Sequence, residues 1–425
     1  MTYKEVLQAA QGQMGPCRAC PVCNGRACGG TIPGPGAKGS GTVAVRNFDA
    51  WRNVRLNMDT IHENFEPDTS LTLFGRSFKY PFFAGPVGAM TLHYGDKYND
   101  LDYNNILVPA CAAAGIAAFT GDGTNHKVME GAAAAITACG GAGIPTVKPW
   151  DNATVARKIA LARSSGCFAM AMDIDAAGLP FLQHLDPPAG SKTVEQLKEI
   201  ALAAGVPFIL KGIMTVKGAE KAIEAGAAGI VVSNHGGRVL DDCPATQEVL
   251  ADIVAAVDGR AKILVDGGIR TGSDVFKALA LGAPYVKAVC MSRSFMIPAF
   301  LGCNIEGALH PERRERVHGA WSALPKTVLD IGDTPETIFA GYHALKERLG
   351  ADEMAHIPYG AIAMWTMCDR LGAGLQHHMA GARKFGVEHI DRTDICAANR
   401  ETAQETGIPF ITEQDDELAR RIVLG

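Results

Sequence analysis

The chain has no apolar run approaching the roughly 18 residues that would cross a bilayer. Met1–Gly15 is an ordinary amphipathic segment without the apolar core of a signal peptide. A cytoplasmic protein without a membrane span is therefore expected. The sequence also lacks a strong charge of either sign: 40 basic against 45 acidic residues leave a formal −5. That balance makes no electrostatic case for a nucleic-acid partner. With 425 residues, 47 % of them hydrophobic, it suits a large core, as one big domain or one domain plus appendages.

Cysteine is unevenly spread. Eight of the 12 are scattered through core-like segments, where cysteine behaves as a small buried hydrophobe. Disulfides are not expected in a reducing compartment. The other four, Cys17, Cys20, Cys23 and Cys28, crowd into one short stretch. Residues 1–45 are rich in Cys, Gly and Pro, as in Gly29-Gly30-Thr31-Ile32-Pro33-Gly34-Pro35-Gly36, and read as an irregular cap.

From about residue 80 short apolar runs alternate with Ala-rich helical patterns. The candidate strands are Phe82–Pro86, Ala117–Thr120, Pro145–Lys148, Ala169–Ile174, Pro207–Leu210, Gly229–Ser233, Ile263–Asp266 and Tyr285–Val289. Runs this apolar fit parallel strands buried on both faces. An open doubly wound sheet also alternates strand and helix, but eight repeats favour a closed barrel. The predicted class is α/β: a (β/α)8 TIM barrel over 46–300, capped by 1–45. Residues 301–425 show helical patterns (Pro311–Val317, Thr334–Leu349, Ala361–Arg370) without strand alternation. They are expected to form a helical C-terminal extension. The acidic Glu413-Gln414-Asp415-Asp416-Glu417 opens a solvated tail or helix.

The densest chemistry lies in Ser233-Asn234-His235-Gly236-Gly237-Arg238, with Lys211 upstream and Asp266-Gly267-Gly268-Ile269-Arg270 downstream. Apolar strands end in these groups, and the strand ends of such a barrel are where active sites are built. A histidine titrates where a general base must, an arginine can grip a carboxylate through two parallel bonds, and glycine-rich turns present backbone N–H groups to a phosphate.

From Ile209-Leu210-Lys211-Gly212-Ile213 through the histidine motif to Asp266-Gly267-Gly268-Ile269-Arg270-Thr271-Gly272-Ser273-Asp274-Val275-Phe276-Lys277-Ala278-Leu279, the chain resembles the FMN-dependent 2-hydroxy acid oxidases and dehydrogenases. A weaker match begins near Asn47, continues through Leu73-Phe74-Gly75 and Pro81–Met90, and takes in Asp173 and Gly178. The resemblance implies oxidation of a 2-hydroxy acid to a 2-oxo acid, with His235 as base and a hydride or electrons passing to flavin N5. It implies Arg238 as the carboxylate clamp and Asp173 as the aspartate orienting His235, with Asp175 its local competitor. Lys211 is then expected beside flavin N1, where a fixed cation favours reduction. FMN would be held by Pro86, Val87 and Gly88 near N5, by Thr120 and Ser233 at the ring, and by Asp266 at the ribityl chain. Gly267, Gly268, Arg270 and Arg293 would hold its phosphate. The family also implies homo-oligomers.

Arg293-Ser294-Phe295-Met296, Leu301-Gly302-Cys303, Gly374-Leu375-Gln376 and Met379–Phe385 are instead similar to the FMN-binding synthase domain of glutamate synthase, although of that family's cluster cysteines just after the barrel only Cys303 remains. Other departures concern the pocket. The family's N-terminal tyrosine is absent, as is its second arginine shortly after Gly178. Pro145-Thr146-Val147-Lys148-Pro149-Trp150 replaces the strand with its flavin-contacting glutamine and substrate-facing tyrosine. Lys148 becomes a candidate substrate-binding cation, with His93 and Tyr94 within plausible reach.

The spacing Cys17-x2-Cys20-x2-Cys23-x4-Cys28 is that of metal ligands, suiting a [4Fe–4S] cluster or structural zinc; redox-active or simply reduced thiols are the remaining readings. A cluster beside FMN would favour a dehydrogenase handing single electrons to a carrier protein over an oxidase using O2. Three functions compete: a 2-hydroxy acid oxidoreductase; another FMN enzyme on the same barrel, glutamate-synthase-like or a non-redox isomerase; and a metal- or flavin-binding sensor without turnover.

Overall fold

Short apolar strands cannot satisfy their backbone polar groups or bury both faces alone, and here eight of them do so by closing on one another. The computed structural model describes residues 1–316 and 321–424. The strands are β1 (Phe82–Ala84), β2 (Ala118–Thr120), β3 (Gly143–Val147), β4 (Met170–Asp173), β5 (Phe208–Ile213), β6 (Gly229–Val232), β7 (Lys262–Val265) and β8 (Val286–Met291). All eight lie in one closed parallel barrel in chain order, with β8 returning to β1 through Val289–Phe82, Cys290–Phe83 and Met291–Ala84. The interior is aliphatic, aromatic and methionine-rich. Phe83, Ile144, Met170, Ile209, Ile230 and Leu264 are fully enclosed, each worth about 1.5–3 kcal/mol relative to exposure.

A helix follows every strand. Its start is commonly marked by a side chain that accepts otherwise orphaned N–H groups. Asp151 does this for Asn152–Ser164, Thr193 for Val194–Ala204 and Thr215 for Val216–Glu224, and Thr271 with Asp274 forms a capping box before Gly272–Leu281. These caps fix each helix directly beyond a strand end, and so fix the turns that carry the chemistry.

Beyond the helix Arg293–Leu309, the expected Pro311–Val317 pattern is a 3-10 segment over Pro311–Arg316; Val317 lies outside the described residues. Thr334–Leu349 resolves into Pro335–Ile338 and Tyr342–Leu349. Ala361–Arg370 is the middle of a longer helix, Tyr359–Gly381, packed across the barrel helices Asp100–Ala114, Gly272–Leu281 and Arg293–Leu309. The expectation of no strand after 300 needs correction: Ile395–Ala397 pairs antiparallel with Val54–Leu56. Three buried residues at a single edge are too short to create an alternating pattern. The acidic stretch leads into the exposed helix Asp416–Leu424. The C-terminal residues 374–385 pack against the segment that precedes the barrel. Gln376 donates to the Pro67 carbonyl, and Arg383 to Asn64 and to the Thr60 carbonyl.

At the other end, Tyr3–Ala10 begins with a Thr2–Glu5 capping box and packs on Arg293–Leu309. The following Cys/Gly/Pro segment folds over the C-terminal ends of the barrel strands. Lys38 N donates to Gly237 O at 2.7 Å, and Asn47 O lies so close to Gly268 that a Cβ there would come within 2.0 Å of it. Gly268 also has φ +76°, a second reason for glycine. Among the described residues, no helix is long and apolar enough to cross a membrane.

Candidate active site at the barrel mouth

Asp173 is the last residue of β4 and stands in register with Lys211 of β5. Both side chains therefore point into the same layer, and Lys211 Nζ lies 2.8 Å from Asp173 Oδ1. Lys148, just beyond β3, approaches from the other side, with Nζ 3.9 Å from Oδ2. Burial pushes the Asp173 carboxyl up, but Lys211, His235 and Lys148 together outweigh it and hold it well below the usual carboxylate range. Burial likewise opposes the Lys211 charge, yet Asp173, Asp175 and Asp266 raise its pKa. Two ammoniums thus flank one buried carboxylate.

His235 sits above this layer. Its Nδ1 lies 3.1 and 3.2 Å from the Asp175 carboxylate oxygens, against 3.8 Å from Asp173. The expectation that Asp173 orients the histidine is thus corrected. Asp173 is in the strand and is engaged by Lys211, whereas Asp175 is in the 3-10 turn Ile174–Gly178 beyond it. The approach of Asp175 depends on Gly212, at a register shift between β5 and β6 with φ +104°. A Cβ at Gly212 would lie 2.5 Å from the Asp175 Cβ.

The histidine turn is strained and heavily braced. His235 has φ +54°, uncommon for a residue other than glycine. Its N–H donates to Ser233 Oγ, and Asn234 and Asn47 exchange amide bonds at 2.8 and 2.9 Å beneath it. Thr246 N also donates to Asn47 Oδ1. The imidazole remains 21 % exposed, and no partner of its Nε2 is found among the described residues.

Arg238 is half-buried against the cap. Its Nη1 donates to the Gly34 and Gly36 carbonyls at 2.9 and 3.0 Å, and its Nε and Nη2 have no partner among the described residues. Burial lowers its pKa, countered by Tyr94. Tyr94 is itself pushed up to about 12 by burial. His93 accepts a hydrogen bond from Gly34 N at 3.0 Å and is lowered to about 4 by burial, then by Arg238, Lys148 and His235. Arg270 Nε donates to Cys23 O at 3.0 Å, and Arg293 Nη1 to Pro35 O at 3.3 Å.

A second charged network had no prior expectation. Buried Asp122 accepts from Lys158 Nζ (2.5 Å), Trp150 Nε1 (2.7 Å) and Lys148 N (3.0 Å). Asp122 stands two residues beyond the end of β2, so its sequence signal is a position just past a strand end, near those that mark Lys211 and Asp266. The Asn47–Asn234 pair joins residues 187 positions apart and has no local signature.

No three of the Cys17, Cys20, Cys23 and Cys28 sulphurs lie within 4.8 Å of one another; among the described residues only Asp173, Asp175 and His235 form such a group. The arrangement therefore shows neither the structural zinc nor the iron–sulfur cluster that the spacing suggests.

The sequence pattern of FMN-dependent dehydrogenases matches residues 35–184 and 180–304, more than half of the chain. The chain belongs to the FMN-dependent dehydrogenase family. Among curated members, a peroxisomal (S)-2-hydroxy-acid oxidase of rice (Oryza sativa subsp. japonica) is 50 % identical over 123 residues, covering 29 % of this chain and 31 % of that protein. An L-lactate oxidase of Lactobacillus jensenii is 50 % identical over 113 residues, 27 % of this chain and 26 % of that protein. The chain thus matches less than a third of the length of these relatives. The solved structure of a mandelate oxidase superposes with a TM-score of 0.62 at 22 % identity, covering 91 % of this chain and 94 % of that one; it shows the shared barrel fold. The family match ends at residue 304, so the glutamate-synthase-like residues 374–385 have no counterpart in it.

The residues present fit the family's cofactor. Thr120 Oγ1, Thr146 Oγ1 and Asp266 Oδ1 are buried polar atoms without a partner among the described residues, all on strands or strand ends. Unsatisfied groups of this kind are costly unless a ligand completes them. Ser233 Oγ donates to the other Asp266 oxygen at 2.9 Å. Burial pushes the Asp266 carboxyl up, partly offset by Lys211 and Ser233. The turn at Gly267 and Gly268, both with positive φ, leads to Arg270, and buried Arg293 opens the helix after β8.

Proposed function

We propose that this mouth oxidises a 2-hydroxy acid to the 2-oxo acid with FMN. The observation that carries the reading is the His235 Nδ1–Asp175 contact above the Lys211–Asp173–Lys148 layer. Asp175 accepts from Nδ1–H, which leaves the Nε2 lone pair as the base. Nε2 takes the proton from the substrate as its electron pair leaves, and Asp175 stabilises the imidazolium that forms. The free Nε and Nη2 groups of Arg238 can grip the substrate carboxylate in two parallel bonds.

Thr120, Ser233 and Asp266 would hold the ring and ribityl chain, Pro86, Val87 and Gly88 the N5 edge, and Gly267, Gly268, Arg270 and Arg293 the phosphate. When bound, FMN supplies the two-electron acceptor. Lys211, locked as a cation, favours the extra negative charge of a reduced ring. Lys148 supplies a second cation where the family's second arginine is missing, so it is assigned to the substrate side.

Lactate, glycolate and larger 2-hydroxy acids, added anaerobically to the FMN-loaded protein, test the reading. Bleaching of the flavin band by one of them supports it. A flavin that none of them reduces overturns it, and glutamate formation from 2-oxoglutarate and ammonia or glutamine with reduced ferredoxin becomes the assay for the alternative.

A further inference from the structure

The cysteine-rich loop is not a remote appendage. It lies on the barrel mouth, where Arg270 holds the Cys23 carbonyl and Arg293 places Nη1 4.0 Å from Cys28 Sγ. Arg293 also reaches the histidine turn, with Nη2 3.9 Å from where a Gly236 Cβ would stand. Neither guanidinium is paired with a carboxylate among the described residues. Two half-buried guanidiniums without a carboxylate partner leave room for an anion beside them.

The loop itself is built of tight turns rather than regular structure. Cys17 N bonds Met14 O, Asn24 N bonds Val22 O, and Ala19 and Gly25 take positive φ. All four thiols lie within this one short loop, between positions 17 and 28. All four are unbridged and partly accessible.

We propose that Cys17, Cys20, Cys23 and Cys28 hold a [4Fe–4S] cluster against Arg270 and Arg293 at the barrel mouth. A cubane binds each thiolate to a different iron, so it needs the sulphurs near one another but not in the close tetrahedron of a single ion. The C-x2-C-x2-C run supplies consecutive corners, and Cys28 closes the fourth after a longer turn. Four thiolates on an oxidised cluster carry a net negative charge, which the two guanidiniums offset. Arg270 and Arg293 then stand between two anions, the cluster on the loop side and the flavin phosphate on the glycine-turn side.

Metal analysis tests this independently of hydroxy-acid turnover. The full chain, loaded with FMN and reconstituted anaerobically with ferrous iron and sulfide, is expected to bind about four iron atoms and as much acid-labile sulfide. Dithionite should then produce the paramagnetic resonance of a reduced cluster, which flavin does not give. Cys20→Ser should lose most of the iron while keeping FMN and the wild-type circular dichroism, and Cys243→Ser, outside the loop, should keep both. Wild-type protein that takes up no iron, binds only zinc, or holds no more iron than Cys20→Ser overturns the proposal. If Cys20→Ser fails to fold, the wild-type iron content and resonance alone decide.

Discussion

The two halves of the barrel use their buried charges differently. Strands β5 to β8 and the turns after them direct Lys211, His235, Arg238, Asp266, Arg270 and Arg293 to one opening, with acceptors and donors left over for ligands. In β1 to β4, Asp122 is consumed internally by Lys158, Trp150 and the Lys148 backbone. Lys148, the Asp173–Asp175 pair and His93 reach toward the other half, and Thr120 and Thr146 keep buried hydroxyls without a partner among the described residues. The first arrangement is what a reaction needs, charges held in place but incompletely matched. The second is what a wall needs. On the proposed reading the second half supplies His235, Arg238 and the phosphate-binding groups, and the first half adds Asp175, Lys148 and the N5 edge.

The largest effect that would break this comparison is at His235. His235→Asn should keep FMN but slow hydroxy-acid-driven flavin reduction about 10²–10⁴-fold, measured by stopped-flow absorbance. An unchanged rate would remove the second half's claim to the chemistry.

Next come the two aspartates. Asp173→Asn leaves Lys211 and Lys148 without their counter-charge and should cost about 3–5 kcal/mol in urea unfolding. Asp175→Asn should unfold close to wild type and instead slow reduction about 10–100-fold, the worth of one hydrogen bond to a charged group. If the two variants exchange these phenotypes, the roles assigned here are reversed.

Much of this was legible beforehand. All eight strands were marked by apolar runs, because parallel strands buried on both faces leave no room for polar interruption. Lys211, His235, Arg238 and Asp266 stood out because each breaks an apolar run at its end or directly follows it. What was not legible depends on pairing across the chain. Asp173 and Asp175 are equivalent in sequence and differ only because one is in a strand in register with Lys211 and the other is in the turn beside Gly212. The reciprocal Asn47–Asn234 bonds, the Val54–Leu56 pairing with Ile395–Ala397, and the cap's carbonyls on Arg238 are likewise set by tertiary contact.

A smaller effect should sharpen the wall's role. Lys148→Met, which keeps the length but removes the cation, should raise KM for a hydroxy acid about 10-fold while changing kcat less, as loss of uniform binding would. An equal fall in kcat alone would place Lys148 in the reaction instead.

The smallest concerns the cap. His93 falls to about 4 in the folded protein from an ordinary value near 6.5, so the unfolded chain binds more protons between those values. Its contribution is therefore fully present above about 6.5 and is lost as pH falls toward 4. Protonation also removes the acceptor for Gly34 N. His93→Asn should flatten the stability slope across that window in denaturant titrations; an identical slope would mean that His93 does not couple to folding.

The most direct measurement is the anaerobic flavin spectrum of wild type and His235→Asn with a series of 2-hydroxy acids of increasing side-chain size. The account predicts that at least one acid bleaches the wild-type flavin band and leaves that of the FMN-loaded variant oxidised. A wild-type flavin untouched by every acid, or equal bleaching in both proteins, would contradict it.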